Sequence, residues 1–273
     1  MLPLDEYGGL SSFGRANDLF ITEGTKLAEE ACRTALVARL GLHTDVRRMP
    51  SFGLGCAAGA AGAAGAAGAA GIARVHDYLA GHGEHVALLV SVELCSLTIQ
   101  HGDDSTANLV SSGLFGDGAA AVVMVGEQHP AGRGATRGPE MVGTRSSLYP
   151  DTADQLGWHI GDSGFGIMLS AGLPGVIAEH LADDVRSLPA EHGLTREDVS
   201  TWVVHAGGPR IFDAVADAPG PQEGDLALSR DSLATVGNSS SSSVLHVLAA
   251  TLERGARTRR SNAATRHRAR TGC

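Results

Sequence analysis

The sequence predicts an α/β fold built from two similar halves. Two apolar runs, Val86–Leu94 and Ala119–Val125, have the length and composition of strands that are covered on both faces. Segments with helical spacing of apolar residues flank these runs, and the same alternation returns after residue 143. Strands that alternate with helices are typical of layered α/β folds.

In the first half, apolar side chains recur at nearly four-residue intervals over residues 23–42 and predict an amphipathic helix. Five tandem Ala-Ala-Gly copies then occupy Ala57–Gly71, and the helix that they begin is expected to continue over Ile72–Leu79. The two predicted strands follow.

In the second half, we predict a helix near Gly175–Arg186, a strand at Thr201–His205, a helix after Pro209 and a helix over Val244–Leu252. The halves are assigned to residues 1–127 and 144–253, joined by a linker at 128–143 that is rich in glycine, proline and charge. Residues 254–273 lack apolar periodicity and are expected to form a disordered basic tail.

Charge and composition exclude several classes of function. All 30 acidic residues lie at or before Glu253, and the acidic body disfavours nucleic acid as a partner. No run approaches the roughly 20 apolar residues of a membrane span, and the first residues lack a signal-peptide pattern, so we expect a cytoplasmic protein without membrane partners. The four cysteines lack the spacing of zinc ligands or of a disulfide framework, so no metal is expected.

Three residues could together supply acyl-transfer chemistry. Cys56 follows a Gly-Leu-Gly turn where a helix is predicted to begin, so the helix N-terminus would stabilise its thiolate, although a buried structural cysteine fits the position equally well. His205 ends an apolar run before two glycines, Asn238 follows a glycine, and each alone would more often be structural. In combination they provide a nucleophile, a proton partner and a stabiliser of an oxyanion or enolate.

Five short motifs occur in a fixed order along the chain. They are Gly55-Cys56-Ala-Ala-Gly, Val92-Glu-Leu-Cys-Ser-Leu, Leu114-Phe-Gly-Asp-Gly-Ala-Ala-Ala-Val, His205-Ala-Gly-Gly-Pro and Gly237-Asn238. This order resembles that of the type III polyketide synthases, the chalcone synthase superfamily, and above all its bacterial alkylpyrone- and alkylresorcinol-forming members. The resemblance implies a thiolase-like fold of two αβ halves in a layered αβαβα arrangement, incomplete here at both termini, and a homodimer.

The resemblance also implies roles for individual residues. Cys56 would carry the acyl group, and His205 and Asn238 would complete a catalytic triad in which an imidazolium pairs with the thiolate. The implied reaction is the decarboxylative condensation of malonyl-CoA onto an acyl-CoA starter, with no metal or organic cofactor. The implied substrate-binding positions are Phe115 as an aromatic gate, Cys95, Leu97 and Thr98 as cavity lining, and Gly207, Gly208 and Arg210 near coenzyme A.

Four features depart from the family pattern. The chain begins at a segment that resembles the interior of a full-length synthase, and residues 34–40 join elements that the family separates by a strand. The Ala-Ala-Gly run is longer than in relatives, and the arginine-rich sequence after Glu253 replaces a glycine-rich loop and a final strand, which we interpret as a shifted reading frame. Two alternatives stay open, a condensing enzyme similar to ketoacyl-carrier-protein synthase III and a non-catalytic remnant of the family.

Overall fold

The computed structural model describes residues 13–40, 66–132, 138–161 and 164–255. In this part of the chain, helices surround two short antiparallel sheets. None of the helices described has both the length and the apolar character that a membrane crossing requires. The helices are α1 (Phe13–Leu40), α2 (Ala66–Gly81), α3 (Thr106–Leu114), α4 (Leu173–Glu191), α5 (Pro209–Asp217), α6 (Ala227–Val236) and α7 (residues 243–255).

The first sheet pairs β1 (Val86–Glu93) with β2 (Gly118–Val125) in antiparallel register. Both strands agree closely with the prediction from their apolar runs. Most of their side chains are only half-buried, however, whereas the sequence predicted strands covered on both faces. The reason is that this sheet has two strands in the described residues, so each strand has an open edge and less cover than an inner strand of a wider sheet.

Two of the Ala-Ala-Gly copies, residues 66–71, begin α2 and make its closest contacts. A Cβ atom added at Gly68 would lie 2.2 Å from the carbonyl oxygen of Ser241, and one added at Gly71 would lie 2.8 Å from Leu89 Cδ1. At Gly68 the facing atom is backbone, so only glycine permits this approach of α2 to the segment before α7, whereas at Gly71 the facing Leu89 side chain of β1 could shift. The other copies, residues 57–65, lie outside the described residues.

Helix α1 runs without interruption from Phe13 to Leu40 and packs against both strands of the first sheet. It therefore begins well before the predicted helix over residues 23–42. It also passes through residues 34–40, where the sequence joins elements that the resembling family keeps apart.

A compact core in the second half holds the backbone next to His205. Phe212 and Leu226 are fully buried together with Ala206, the residue that directly follows His205. Side chains of α4 and α6 pack against this core, among them Leu181 and Leu233. Burial of Ala206 thus anchors the end of the apolar run that carries His205.

The strand predicted at Thr201–His205 forms no β-ladder with other described residues. The Ser229 hydroxyl donates a 2.7 Å hydrogen bond to the Val204 carbonyl, so a side chain satisfies that backbone group. The apolar character of this segment reflects burial against helices, which periodicity alone does not distinguish from burial in a sheet.

Sequence patterns also missed a hairpin between β3 (Leu156–Gly161) and β4 (Gly164–Leu169). Glycines recur through both strands and obscure the alternation that predicts a strand. Trp158 and Phe165 stabilise the hairpin by an edge-to-face contact with ring centroids 5.9 Å apart. Gln100 donates a 3.1 Å hydrogen bond to the Phe165 carbonyl and so ties the hairpin to the first half.

Candidate active site

The backbone of Asn238 is fixed against the turn that follows α3. Its N–H donates to the Leu114 carbonyl at 2.8 Å, and its own carbonyl accepts from the Gly116 N–H at 3.0 Å, which forms a parallel bridge between Phe115 and Asn238. Gly237, just before Asn238, has a φ of 73°, which favours glycine, and a Cβ added there would lie 3.1 Å from the Leu114 carbonyl oxygen. The motifs around Phe115 and Asn238 therefore meet although they are far apart in sequence.

The hydrogen-bond partners of the Asn238 side chain determine which of its two amide positions is the oxygen and which is the nitrogen. Its Oδ1 accepts from the Ser240 N–H at 2.9 Å and from the Ser243 hydroxyl at 3.3 Å. A backbone N–H can only donate, so the atom facing Ser240 must be the oxygen. The Nδ2 donor then points toward the loop after His205, where it lies 3.3 Å from the Gly207 carbonyl oxygen.

His205 lies at the start of that loop. Its Nδ1 atom is buried and has no hydrogen-bond partner among the described residues. Burial lowers the pKa of the imidazole to about 4, so these surroundings favour the neutral ring. The imidazolium implied by the resemblance would need a nearby anion to offset this burial.

The loop after His205 depends on two glycines. A Cβ added at Gly207 would lie 3.2 Å from His205 Cδ2, and Gly208 has a φ of 146°, which side-chain-bearing residues rarely adopt. Pro209 then opens α5 in the first turn, where its missing N–H costs nothing. Arg210 lies in that same turn and is exposed, so its guanidinium is accessible.

Three predicted cavity positions lie in a single turn of 3-10 helix over Cys95–Thr98, directly after β1. Thr98 Oγ1 donates to the Cys95 carbonyl at 2.8 Å, and Gln100 links the turn to β4. Leu97 borders a small cavity against α1, together with Asp117. Asp117 accepts two hydrogen bonds from Ser96, at 2.9 Å and 2.8 Å, so its carboxylate holds the start of this turn.

Glu93 is a site residue that sequence reasoning did not select. It is the one acidic residue of β1, and it accepts a short hydrogen bond from the Ser241 hydroxyl. Burial is the largest influence on it and raises the pKa of its carboxyl, against the lowering effect of the serine hydrogen bonds. A lone carboxylate within an apolar strand is the sequence signal that could have found it.

The structure brings together Phe115, Gly207, Gly208 and Asn238 beside His205. Leu114 illustrates this convergence, since it accepts the Asn238 N–H and its side chain lies 3.5 Å from a Cβ added at Gly208. Cys56 lies outside the described residues, so its place in the predicted triad stays a prediction. No group of three or more potential metal ligands occurs in the parts of the chain described here.

The likeness of this fold to solved structures defines its class, the thiolase-like αβ fold of type III polyketide synthases. The structure resembles the crystal structure of 1,3,6,8-tetrahydroxynaphthalene synthase from Streptomyces coelicolor A3(2), a bacterial type III polyketide synthase, with a TM-score of 0.72 and 28% sequence identity over 91% of this chain and 75% of that chain. It also resembles the structure of PKS-I from the brown alga Ectocarpus siliculosus, with a TM-score of 0.63 and 30% identity over 70% of this chain and 50% of that chain.

Family models match most of the chain. Residues 19–128 match the N-terminal domain of chalcone and stilbene synthases, and residues 140–268 match the C-terminal domain. The chain is 46% identical over 277 residues to a 1,3,6,8-tetrahydroxynaphthalene synthase of Streptomyces peucetius subsp. caesius, covering 90% of this chain and 70% of that protein. It therefore belongs to the chalcone and stilbene synthase family, as a relative of the bacterial type III polyketide synthases.

The chain is shorter than these relatives. It is 31% identical to the "Putative chalcone synthase" of Bacillus subtilis, over 89% of this chain and 64% of that protein. It is also 31% identical to the α-pyrone-synthesis polyketide synthase-like Pks18 of Mycobacterium tuberculosis, over 84% of this chain and 56% of that protein. The chain thus spans between roughly half and 70% of the length of these curated relatives.

Proposed function

We propose that this chain catalyses the decarboxylative condensation of malonyl-CoA onto an acyl-CoA starter. The observation that carries the proposal is the fixed orientation of Asn238, whose Nδ2 donor faces the loop that begins at His205. Two donors side by side are what the enolate oxygen of decarboxylated malonyl-CoA requires. Family membership supports the same reaction class.

In the first step, the Cys56 thiolate attacks the acyl-CoA carbonyl, a new thioester forms and coenzyme A leaves as its thiolate. Malonyl-CoA then loses carbon dioxide, and the electron pair of the broken C–C bond forms an enolate. His205, neutral and carrying its proton on Nε2, donates to the enolate oxygen together with Asn238 Nδ2. The enolate carbon attacks the acyl carbonyl and releases the Cys56 thiolate.

The remaining substrate contacts follow from the same site. Phe115 gates the route between coenzyme A and the cavity, and the accessible guanidinium of Arg210 attracts the phosphates of coenzyme A. The turn that contains Cys95, Leu97 and Thr98 lines the cavity. In this proposal the enzyme is a cytoplasmic homodimer that uses only coenzyme A thioesters, without a metal or an organic cofactor.

The relatives also bear on the product. One relative is named for 1,3,6,8-tetrahydroxynaphthalene and another for α-pyrone synthesis. When a poly-β-ketone chain folds and cyclises, its oxygens remain on alternate carbons of the ring system. Because the identity is higher to the naphthalene-forming relative, we propose an aromatic polyketide product in preference to an alkylpyrone or alkylresorcinol.

The test is intact-mass measurement of the full chain after incubation with acetyl-, hexanoyl- and lauroyl-CoA. The expected result is a single acyl adduct that is absent in Cys56→Ala and retained in the control Cys32→Ala, which removes a cysteine thiol of α1. Adducts that form only from acyl-carrier-protein thioesters would favour the synthase III-like alternative. Absence of an adduct from every donor would favour the non-catalytic remnant and overturn the proposal.

A further inference from the structure

A run of five consecutive serines, Ser239–Ser243, follows Asn238 and is buried throughout. We refer to it as the serine turn. Buried hydroxyls must find hydrogen-bond partners, so this run is costly unless its contacts are specific. The partners that the structure shows lie in two places, the first sheet and the side chain of Asn238.

The first set of contacts anchors the turn to β1. The Ser91 hydroxyl, itself buried, lies 2.7 Å from Ser241 Oγ and 2.8 Å from Ser242 Oγ. Both distances are typical of O–H···O hydrogen bonds. Ser242 also donates to the Gly118 carbonyl of β2 at 3.3 Å, so the turn is attached to both strands of the first sheet.

The second set of contacts holds the Asn238 amide. Ser243 Oγ donates to Asn238 Oδ1 at 3.3 Å, and Ser239 Oγ lies 3.3 Å from Ser243 Oγ. Ser240 has a φ of 50°, an uncommon conformation for a residue with a side chain, and this conformation aims its N–H at the same oxygen at 2.9 Å. Backbone strain of this kind persists only where surrounding contacts enforce it.

We propose that Ser91 and Ser243 are positioning residues for Asn238. Ser91 holds the turn so that the Ser240 N–H reaches Oδ1, and Ser243 supplies the second donor to that oxygen. With both donors in place, the amide cannot flip, and Nδ2 faces the site beside His205. This inference rests on the proposed function for the meaning of that orientation, but the orientation itself can be measured separately.

Removal of the Ser91 or Ser243 hydroxyl should slow malonyl-CoA decarboxylation but not the transfer of an acyl group to Cys56. Transfer of an acyl group to Cys56 does not use the Asn238 donor in the proposed mechanism, whereas stabilisation of the malonyl-derived enolate does. We expect Ser91→Ala and Ser243→Ala to lower malonyl-CoA decarboxylation about 10-fold, because small displacements of a catalytic group reduce rate steeply. Loading of Cys56 should stay within about twofold of the unmodified protein. Loss of folding would instead lower both half-reactions together.

The test compares four proteins: the unmodified chain, the two variants, and the control Ser111→Ala, which removes a buried hydroxyl that donates to the Asn108 carbonyl within α3. One readout is the side-chain amide signal of Asn238 in nuclear magnetic resonance, identified by its loss in Asn238→Asp. The other readouts are acetyl-CoA formation from malonyl-CoA and acylation of Cys56.

The expected result is a displaced Asn238 amide signal and slower decarboxylation in both variants, with neither change in Ser111→Ala. An amide signal that is unchanged in Ser91→Ala and Ser243→Ala would overturn the positioning role, whatever the activity. A displaced signal with undiminished decarboxylation would overturn it as well. If the unmodified chain neither loads nor decarboxylates, the proposed function fails, while the amide signal still decides whether the serines orient Asn238.

Discussion

The Nδ2 atom of Asn238 donates a 3.3 Å hydrogen bond to the carbonyl oxygen of Gly207, two residues beyond His205. This contact joins two loops that are 31 residues apart in sequence. The Oδ1 atom of the same amide accepts hydrogen bonds from the Ser240 N–H and the Ser243 hydroxyl. The Nδ2 group of Asn238, which carries two N–H donors, is thereby held on the side on which His205 lies.

Asn238→Asp should separate decarboxylation from loading. The substitution keeps size but replaces the Nδ2 donor by an acceptor, and loss of a comparable donor typically costs about 10²–10³-fold in rate. We expect malonyl-CoA decarboxylation to fall by that order while Cys56 is still acylated, as measured by acetyl-CoA release and intact mass. Asn108→Asp, at a buried amide of α3 that donates to the Gln100 and Asp103 carbonyls, serves as the matched control. Equal losses in both half-reactions would contradict the role of Asn238.

His205 should make stability depend on pH below neutrality. Burial lowers its pKa from 6.5 to about 4, so between these values the unfolded chain binds a proton that the folded chain does not. The free energy of unfolding should therefore fall as pH decreases through this window, by up to about 3 kcal/mol. Denaturant titrations of the unmodified protein and His205→Gln would show a smaller fall in the variant.

Parallel pH profiles for the two proteins would contradict this account. They would indicate that His205 titrates near its ordinary pKa, as expected if an anion such as the Cys56 thiolate lies beside it. The experiment thus also distinguishes a neutral imidazole from the imidazolium that the family resemblance implies.

The sequence was sufficient for parts of the fold that depend on local pattern. The apolar runs of β1 and β2 and the apolar spacing of α7 can be recognised from neighbouring residues alone. The hairpin of β3 and β4 could not be recognised, because glycines interrupt the alternation of apolar residues and the contact of Trp158 with Phe165 appears only once the strands are paired. For residues 201–205 the sequence predicted a strand that pairs with no other described residue. An apolar run indicates burial without specifying whether a sheet or helices cover it.

For the candidate site, motif order led to the prediction of His205 and Asn238, and the structure shows that their loops are in contact. The bridge between Phe115 and Asn238 joins residues from different halves, and such pairing leaves no trace in local periodicity. Glu93 was missed although a lone carboxylate in an apolar strand is visible in the sequence, because its hydrogen-bond partner Ser241 lies in a distant segment.

Glu93→Gln should increase stability at neutral pH. Burial raises the pKa of Glu93, so the folded chain binds a proton more readily than the unfolded chain, and stability is lost as pH rises through the raised value. Glutamine keeps an oxygen that accepts from the Ser241 hydroxyl but carries no charge. The free energy of unfolding of the variant should exceed that of the unmodified protein at pH 8, with the difference disappearing toward pH values below about 4. A variant that is less stable at pH 8 would show that the charged carboxylate is favoured by its serine partners.

Gly68→Ala and Gly81→Ala should change stability in opposite directions although both lie in α2. Alanine normally favours a helix over glycine by about 1 kcal/mol. At Gly81 nothing lies within 4 Å of an added Cβ, so alanine should stabilise the protein there, by at most the full helix-propensity difference because Gly81 is the last residue of the helix.

At Gly68 the added Cβ would lie 2.2 Å from the Ser241 carbonyl oxygen, and the backbone must move to make room for it. Overpacking of this kind costs about 1–3 kcal/mol, and here it would also displace the serine turn and with it Asn238. Denaturant unfolding of both variants checks the stability difference, and malonyl-CoA decarboxylation should fall only in Gly68→Ala. Equal stability of the two variants would mean that the Ala-Ala-Gly helix does not pack where the structure places it.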